Sequence, residues 1–129
     1  MAQNIMDIVV YIVEDDESVR IGLSRLMRSL GVQCRVYESA ENFLEQVPDD
    51  PLGCILLDLT FLNMNGLELA RALKEKGVLH PIIVLSAIDD EKILQSAHEL
   101  GVRFLLSKPV DDQALIDTIN WVITEPAHT

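Results

Sequence analysis

The sequence predicts a doubly wound α/β domain, one parallel five-stranded sheet with helices on both faces. Three observations lead there. Short aliphatic runs alternate five times with segments whose apolar residues recur at helical spacing. The connections between them are short, and a (βα)5 alternation of that kind forces parallel strands and right-handed crossovers. A chain of 129 residues and 14.4 kDa fits a single domain with one core, expected over 8–122 with a short tail over 123–129.

Taken in order, Ile8 to Val13 reads as the first strand and Glu17 to Leu30 as the first helix, with Val19, Leu23, Leu26, Met27 and Leu30 on one face. Val32 to Tyr37 reads as the second strand. Its Val32, Cys34 and Val36 alternate with Gln33, Arg35 and Tyr37, the pattern of an edge strand covered on one side. Ala40 to Val47 follows as a short helix carrying Phe43 and Leu44, and Pro48 to Pro51 as a tight surface loop. Cys54 to Leu57, Ile82 to Leu85 and Phe104 to Leu106 are nearly continuous apolar runs and read as the third, fourth and fifth strands. Between and after them lie helices over Gly66 to Lys76, Asp90 to Leu100 and Asp111 to Val122. Gly31, Gly77 and Gly101 each stand just past a helical stripe, where a residue without a Cβ closes a helix in the left-handed conformation. Asp111 and Asp112 suit the positive end of the last helix, and Pro126 stops it.

Charge narrows the function. Ten basic against 21 acidic residues give a net charge of −11, which repels phosphate backbones and anionic lipid head groups, so direct binding to nucleic acid or to a membrane surface is not expected. The apolar runs fall far short of the roughly 20 residues that a spanning helix needs. Met1 to Asp7 shows no basic region ahead of an apolar one, so no secretory leader is read there and the expected location is the cytoplasm. Cys34 and Cys54 are widely spaced in apolar surroundings, the setting of reduced buried thiols. Neither they nor His80, His98 and His128 show zinc-ligand spacing.

The chemistry gathers at strand ends. Glu14, Asp15 and Asp16 follow the first strand, Asp58 ends the third, Ser86 the fourth and Lys108 the fifth, so all fall on the carboxyl rim, where open α/β sheets bind ligands. Carboxylates held together repel, and a divalent cation with oxygen ligands relieves them; Mg²⁺ takes one or two carboxylates along with waters and phosphate oxygens. A lysine and a hydroxyl opposite them supply a charge and a donor for a tetrahedral anion. An aspartate can itself attack phosphorus, which makes Asp58 the candidate nucleophile. Acidic residues after a strand also cap helices, the simpler role for Asp16 or for any one of the three taken singly.

Val10-Tyr11-Ile12-Val13-Glu14-Asp15-Asp16-Glu17, Ile55-Leu56-Leu57-Asp58-Leu59, Met64-Asn65-Gly66-Leu67, Leu85-Ser86-Ala87 and Ser107-Lys108-Pro109 together resemble a bacterial response-regulator receiver domain, CheY-like, over about Ile8 to Val122. Tyr37 to Leu44 is similar to the FixJ-type subgroup, whose receivers usually precede a DNA-binding helix-turn-helix domain; no such second domain follows within these residues. The resemblance implies a flavodoxin-like sheet in strand order 2-1-3-4-5, a two-component phosphorelay, and phosphorylation of Asp58 by a sensor histidine kinase or phosphotransfer protein. It implies Mg²⁺ held by Asp15, Asp58 and the Thr60 carbonyl, with Glu14 completing the acidic pair, Ser86 as the switch hydroxyl with Ala87 beside it, Lys108 as the ion-pairing cation and a cis bond before Pro109. In that order the first strand separates Cys34 from Cys54, so they should not pair. A homodimer or output partner would dock on the fourth helix, fifth strand and fifth helix. Such a domain is a signalling phosphoacceptor, not an enzyme, and assists only its own phosphorylation and dephosphorylation.

Several positions depart from the family pattern. Glu14 replaces a commoner aspartate and, one methylene longer, would reach the metal through water. Phe61-Leu62 stands where Met-Pro is usual, and Leu105 occupies the position of the aromatic switch. Phe104 is no substitute, because neighbouring strand residues face opposite sides of a sheet. Thr60 and Ile88, at positions that tune phosphoryl lifetime in the family, carry no acid or amide to orient water, which implies slow self-dephosphorylation. Three rivals fit less well. A haloacid-dehalogenase-like phosphatase wants its nucleophile on the first strand and a second aspartate where Thr60 stands. A flavin module wants a hydroxyl- or glycine-rich loop where Glu14-Asp15-Asp16 stands. A degenerate, phosphorylation-independent interaction module is the remaining alternative.

Overall fold

In a computed structural model, residues 8–46, 53–59, 65–78, 80–86, 91–108 and 110–124 are described. Strands and helices alternate as β1 (Val9–Val13), α1 (Glu17–Ser29), β2 (Gln33–Tyr37), α2 (Ala40–Glu45), β3 (Gly53–Leu59), α3 (Asn65–Glu75), β4 (Ile82–Ser86), α4 (Glu91–Glu99), β5 (Val102–Ser107) and α5 (Asp112–Thr124). All pairings are parallel and the strand order is β2-β1-β3-β4-β5, as the sequence led us to expect. Among the described residues no helix is long and apolar enough to cross a membrane.

Strand alternation divides the core. Val9, Tyr11 and Val13 of β1 join Ile55, Leu57, Ile82 and Val84 in one buried cluster with Phe43 of α2, Leu69 and Leu73 of α3 and Ala97 of α4. Val10 and Ile12 join Cys54, Leu56, Ile83 and Leu85 on the other face, under Met27 of α1 and Leu115 and Ile119 of α5. A strand flanked by helix layers on both faces has no water-facing side, which is why β1 and β4 are buried along their whole length. Cys34 and Cys54 are free and flank Val10 as register partners on either side, as their separation by the first strand required.

The helix ends follow the sequence signals. Asp16 caps α1 by accepting from the Val19 amide at 3.1 Å, and Asp111 accepts from the Ala114 amide at 3.1 Å ahead of α5. Gly31, Gly77 and Gly101 adopt φ of 74°, 77° and 87°, the left-handed region expected of them.

Two expectations need correction. The alternation puts Val36 on the covered side of β2, yet it is 44% exposed, whereas Tyr37 is buried at 8%. A face of α1 that is polar from Glu17 to Arg28 apart from Ile21 lies beside Val36, and Tyr37 is taken up by Phe43, their rings meeting edge to face with centroids 4.8 Å apart. The fifth strand begins at Val102 instead of Phe104, because the register jumps from Ile82↔Val102 to Ile83↔Phe104 and Arg103 bulges out, breaking the apolar run that marks the strand. Unlike β1, β3 and β4, β5 is a second edge and is mostly half-buried.

Gly53 carries a constraint that the sequence reading missed. A Cβ there would sit 2.6 Å from the Val9 carbonyl oxygen and 2.9 Å from the Tyr11 ring, whereas one at Gly22, within α1, would meet nothing within 4 Å. We expect Gly53→Ala to lower unfolding free energy by about 2 kcal/mol in urea titrations and Gly22→Ala to raise it by roughly 0.5–1 kcal/mol. A tolerated Gly53→Ala would show that β1 and β3 can separate locally at this register.

Candidate functional site

Parallel strands of matched register end at one rim, and register decides which rim residues become neighbours. Val13 is level with Leu57, so the next residues, Glu14 and Asp58, come side by side. Asp58 is level with Leu85, and Ser86 with Ser107, which brings Ser86 and Lys108 to the other flank of Asp58. The ladder continues one step beyond each strand. Glu14 N–H donates to the Tyr37 carbonyl at 3.0 Å and Lys108 N–H to the Ser86 carbonyl at 2.8 Å, pinning both residues over the sheet end.

Burial at this rim is unusual for charged groups. Glu14 is 2% exposed, Asp58 7% and Ser86 1%, while Asp15 is exposed. The Lys108 ammonium forms an ion pair with Asp58 Oδ1. Glu14 Oε1 accepts from the Asp16 amide at 3.0 Å, and Arg20 Nη1 donates to the Glu14 and Asp15 carbonyls at 2.9 and 3.0 Å. Glu14 Oε2 is buried with no hydrogen-bond partner among the described residues. Burial raises the Glu14 carboxyl from 4.5 to about 7; the Asp58 and Asp15 charges add to that rise, against the Asp16 amide and the Lys108 charge.

A cavity of about 200 Å³ opens over these groups, lined by Glu14, Asp15 and Asp58 on one side and Glu38, Ser39 and Glu41 on the other. The donor set is hard oxygen throughout. Among the described residues no three His, Cys, Asp or Glu side chains are arranged to hold an ion alone. Mg²⁺ does not need three, since it keeps several waters and uses one or two carboxylates. The orphaned, buried Glu14 Oε2 is the kind of atom a hydrated divalent cation would satisfy, so the residues present fit that ion.

The structure thus brings together Glu14, Asp15, Asp58, Ser86 and Lys108. Thr60, Ala87 and Pro109, and with them Phe61, Leu62 and Ile88, lie outside the described residues. Asp16, a cap by its hydrogen bond to Val19, belongs to the helix. Leu105 packs with the α2–α4 face and Phe104 with the α1–α5 face, so the opposed orientation expected of them holds. Sequence reading missed Glu38, Glu41 and Arg20. The first two follow β2 on the same rim and were legible by the rule that found Asp58. Arg20 was legible from the lean of helical side chains toward the N-terminus.

Comparison with known proteins decides the family. A family model described as the response regulator receiver domain matches residues 10–120. The chain belongs to this family. As a receiver domain it is 39% identical over 111 residues to the transcriptional regulatory protein TdiR of Thauera aromatica, covering 86% of this chain and 49% of TdiR. It is 36% identical over 111 residues to the response regulator protein TodT of Pseudomonas putida, covering 86% of this chain and 49% of TodT. The receiver therefore spans about half the length of these curated relatives. Its fold matches the crystal structure of FixJ-N with a TM-score of 0.83 and 30% identity, over 95% of this chain and 98% of that one.

The raised Glu14 carboxyl sets a pH dependence. Between pH 4.5 and about 7 the folded receiver keeps a proton that the unfolded chain has released, so stability falls as pH rises through that window, and the loss is complete above it. In magnesium-free buffer we expect Glu14→Gln to remove this slope and to gain on the order of 2 kcal/mol over wild type near pH 8. Parallel pH profiles of the two proteins in urea would show that the carboxyl is not strained by burial.

Proposed function

We propose that this receiver is a working phosphoacceptor of a two-component phosphorelay, with Asp58 as the residue that takes the phosphoryl group from a sensor histidine kinase or phosphotransfer protein. The observation that carries this reading is the Asp58 carboxylate, buried at the rim, ion-paired with Lys108 and flanked by Glu14 and by Ser86.

Each residue has a part. An Asp58 oxygen attacks the phosphorus of a phosphohistidine, and the imidazole nitrogen leaves with the P–N bonding pair. Lys108, already held against Asp58, meets the charge that spreads over the equatorial oxygens. Ser86 supplies a hydroxyl to one of those oxygens from the adjacent strand end. Mg²⁺ when bound supplies two positive charges to the same oxygens, and Glu14, Asp15, Asp58 and the Thr60 carbonyl would hold it. Ala87, next to Ser86 in sequence, and Pro109, next to Lys108, belong to the same reading and lie outside the described residues. The new charge at Asp58 then biases a two-state surface on α4, β5 and α5, where a second copy or an output partner docks. With Leu105 aliphatic, that bias travels through displacement of Ser86 and Lys108 instead of an aromatic rotamer. On this reading the receiver is a signalling phosphoacceptor that acts on no other substrate, and it works in the cytoplasm.

Intact mass after treatment with a small acyl phosphate donor tests the reading. We expect a Mg²⁺-dependent gain of one phosphoryl group in wild type and none in Asp58→Asn. Rapid release of inorganic phosphate would mark a phosphatase, and a folded protein that takes no label would mark an interaction module that works without phosphorylation. Thr60 and Ile88 offer no acid or amide to orient water, so the label should outlast removal of the donor by far more than seconds; its loss within seconds would mean that another group activates water.

A further inference from the structure

The acidic loop after β1 is held from α1, through a contact that links one side chain to the shape of the site. Arg20 enters the first turn of α1 with its amide on the Asp16 carbonyl at 2.9 Å. Its side chain turns back toward the helix start, as helical side chains do. There one nitrogen, Nη1, donates to the carbonyl of Glu14 at 2.9 Å and of Asp15 at 3.0 Å.

A trans peptide is planar, with C=O and N–H on opposite edges. Pulling the Asp15 carbonyl toward Arg20 therefore aims the amide of Asp16 the other way. That amide is found on Glu14 Oε1 at 3.0 Å. With Oε1 held by that amide, Oε2 is the oxygen left buried without a partner among the described residues, in a residue that lines the cavity. The chain of cause runs from Arg20 to the Asp15 carbonyl, to the Asp16 amide, to the Glu14 carboxylate.

We infer that Arg20 is a positioning residue for the divalent-cation site: its two bonds to the Glu14 and Asp15 carbonyls orient the loop so that Glu14 and Asp15 present their carboxylates to the cavity. The inference rests on the reading of the rim as a Mg²⁺-assisted phosphoacceptor site and adds to it a residue that touches neither ion nor phosphoryl group.

Electrostatics alone gives the opposite sign. Removing a positive charge beside a cluster of carboxylates should tighten cation binding, whereas removing a second-layer support should loosen it, commonly by 10-fold or more. Titration of Mg²⁺ alone into the metal-free full chain, followed calorimetrically, separates the two. We expect Arg20→Met to weaken Mg²⁺ about 10-fold and Arg20→Lys to fall between it and wild type, because lysine keeps the charge but not the planar donor pair. Arg25→Met, which removes the same charge five residues further along α1, should bind as wild type or slightly tighter.

Phosphorylation by the acyl phosphate, measured against Mg²⁺ concentration, should show a raised half-saturating Mg²⁺ in Arg20→Met with little change in the plateau rate. A folded Arg20 variant, either of the two, that binds Mg²⁺ as tightly as wild type or more so overturns the inference, as does an equal weakening in Arg25→Met. A wild-type chain with no Mg²⁺ binding overturns the phosphoacceptor reading itself, and the inference with it. Unchanged binding in the Arg20 variants beside a normal wild type removes the inference alone.

Discussion

Mutual repulsion among carboxyl groups at the end of an aliphatic sheet is the constraint on which the rest depends. Glu14 and Asp58 are buried there and Asp15 stands beside them, in surroundings that screen charge poorly. Within the sheet their neighbours are mostly aliphatic, with the Ser86 hydroxyl the polar side chain on the flank of Asp58. Relief comes from outside the sheet: the Lys108 ammonium, the Asp16 amide, and a proton retained by Glu14 to about pH 7. Each source is partial. A rim so balanced responds strongly to any new cation or anion, and that is the property a phosphorylation switch needs.

Parallel register turns that constraint into a site. The four residues that matter most arrive from β1, β3, β4 and β5, and none is a sequence neighbour of another's strand. Matched strand ends bring them within reach because the pairing Val13↔Leu57, Asp58↔Leu85 and Ser86↔Ser107 steps diagonally across the sheet. The aliphatic strands contribute no chemistry, yet a slip of one residue in any of them would send its polar terminus to the opposite face. Leu105 and Phe104 show the same rule at work, one packed under α2–α4 and the other under α1–α5.

Much of this was legible in the sequence, and the parts that were not share a cause. Continuous aliphatic runs announced β1, β3 and β4, since a strand covered on both faces leaves no polar trace. The edges were harder. At β2 an alternating pattern suggested that Val36 was covered, but coverage depends on which side chains lie above, and there a largely polar face of α1 does. At β5 the bulge at Arg103 interrupted the run that defines a strand. Within the site, Asp58, Ser86 and Lys108 were legible because each ends a run, and Arg20 only through the lean of helical side chains toward the N-terminus.

The two edges of the sheet have a consequence for how the protein behaves in a crowded solution. An open strand offers unpaired amides and carbonyls to any other strand that comes alongside, and flat, apolar edges recruit copies of themselves. Neither edge here is flat and apolar. β2 exposes Gln33 and Arg35 beside Val36, and β5 is kinked at Arg103, so a foreign strand would meet a guanidinium on one side and an irregular ladder on the other. Together with a net charge of −11, which keeps copies apart at long range, this guards the sheet against open-ended self-pairing and leaves association to surfaces formed by side chains.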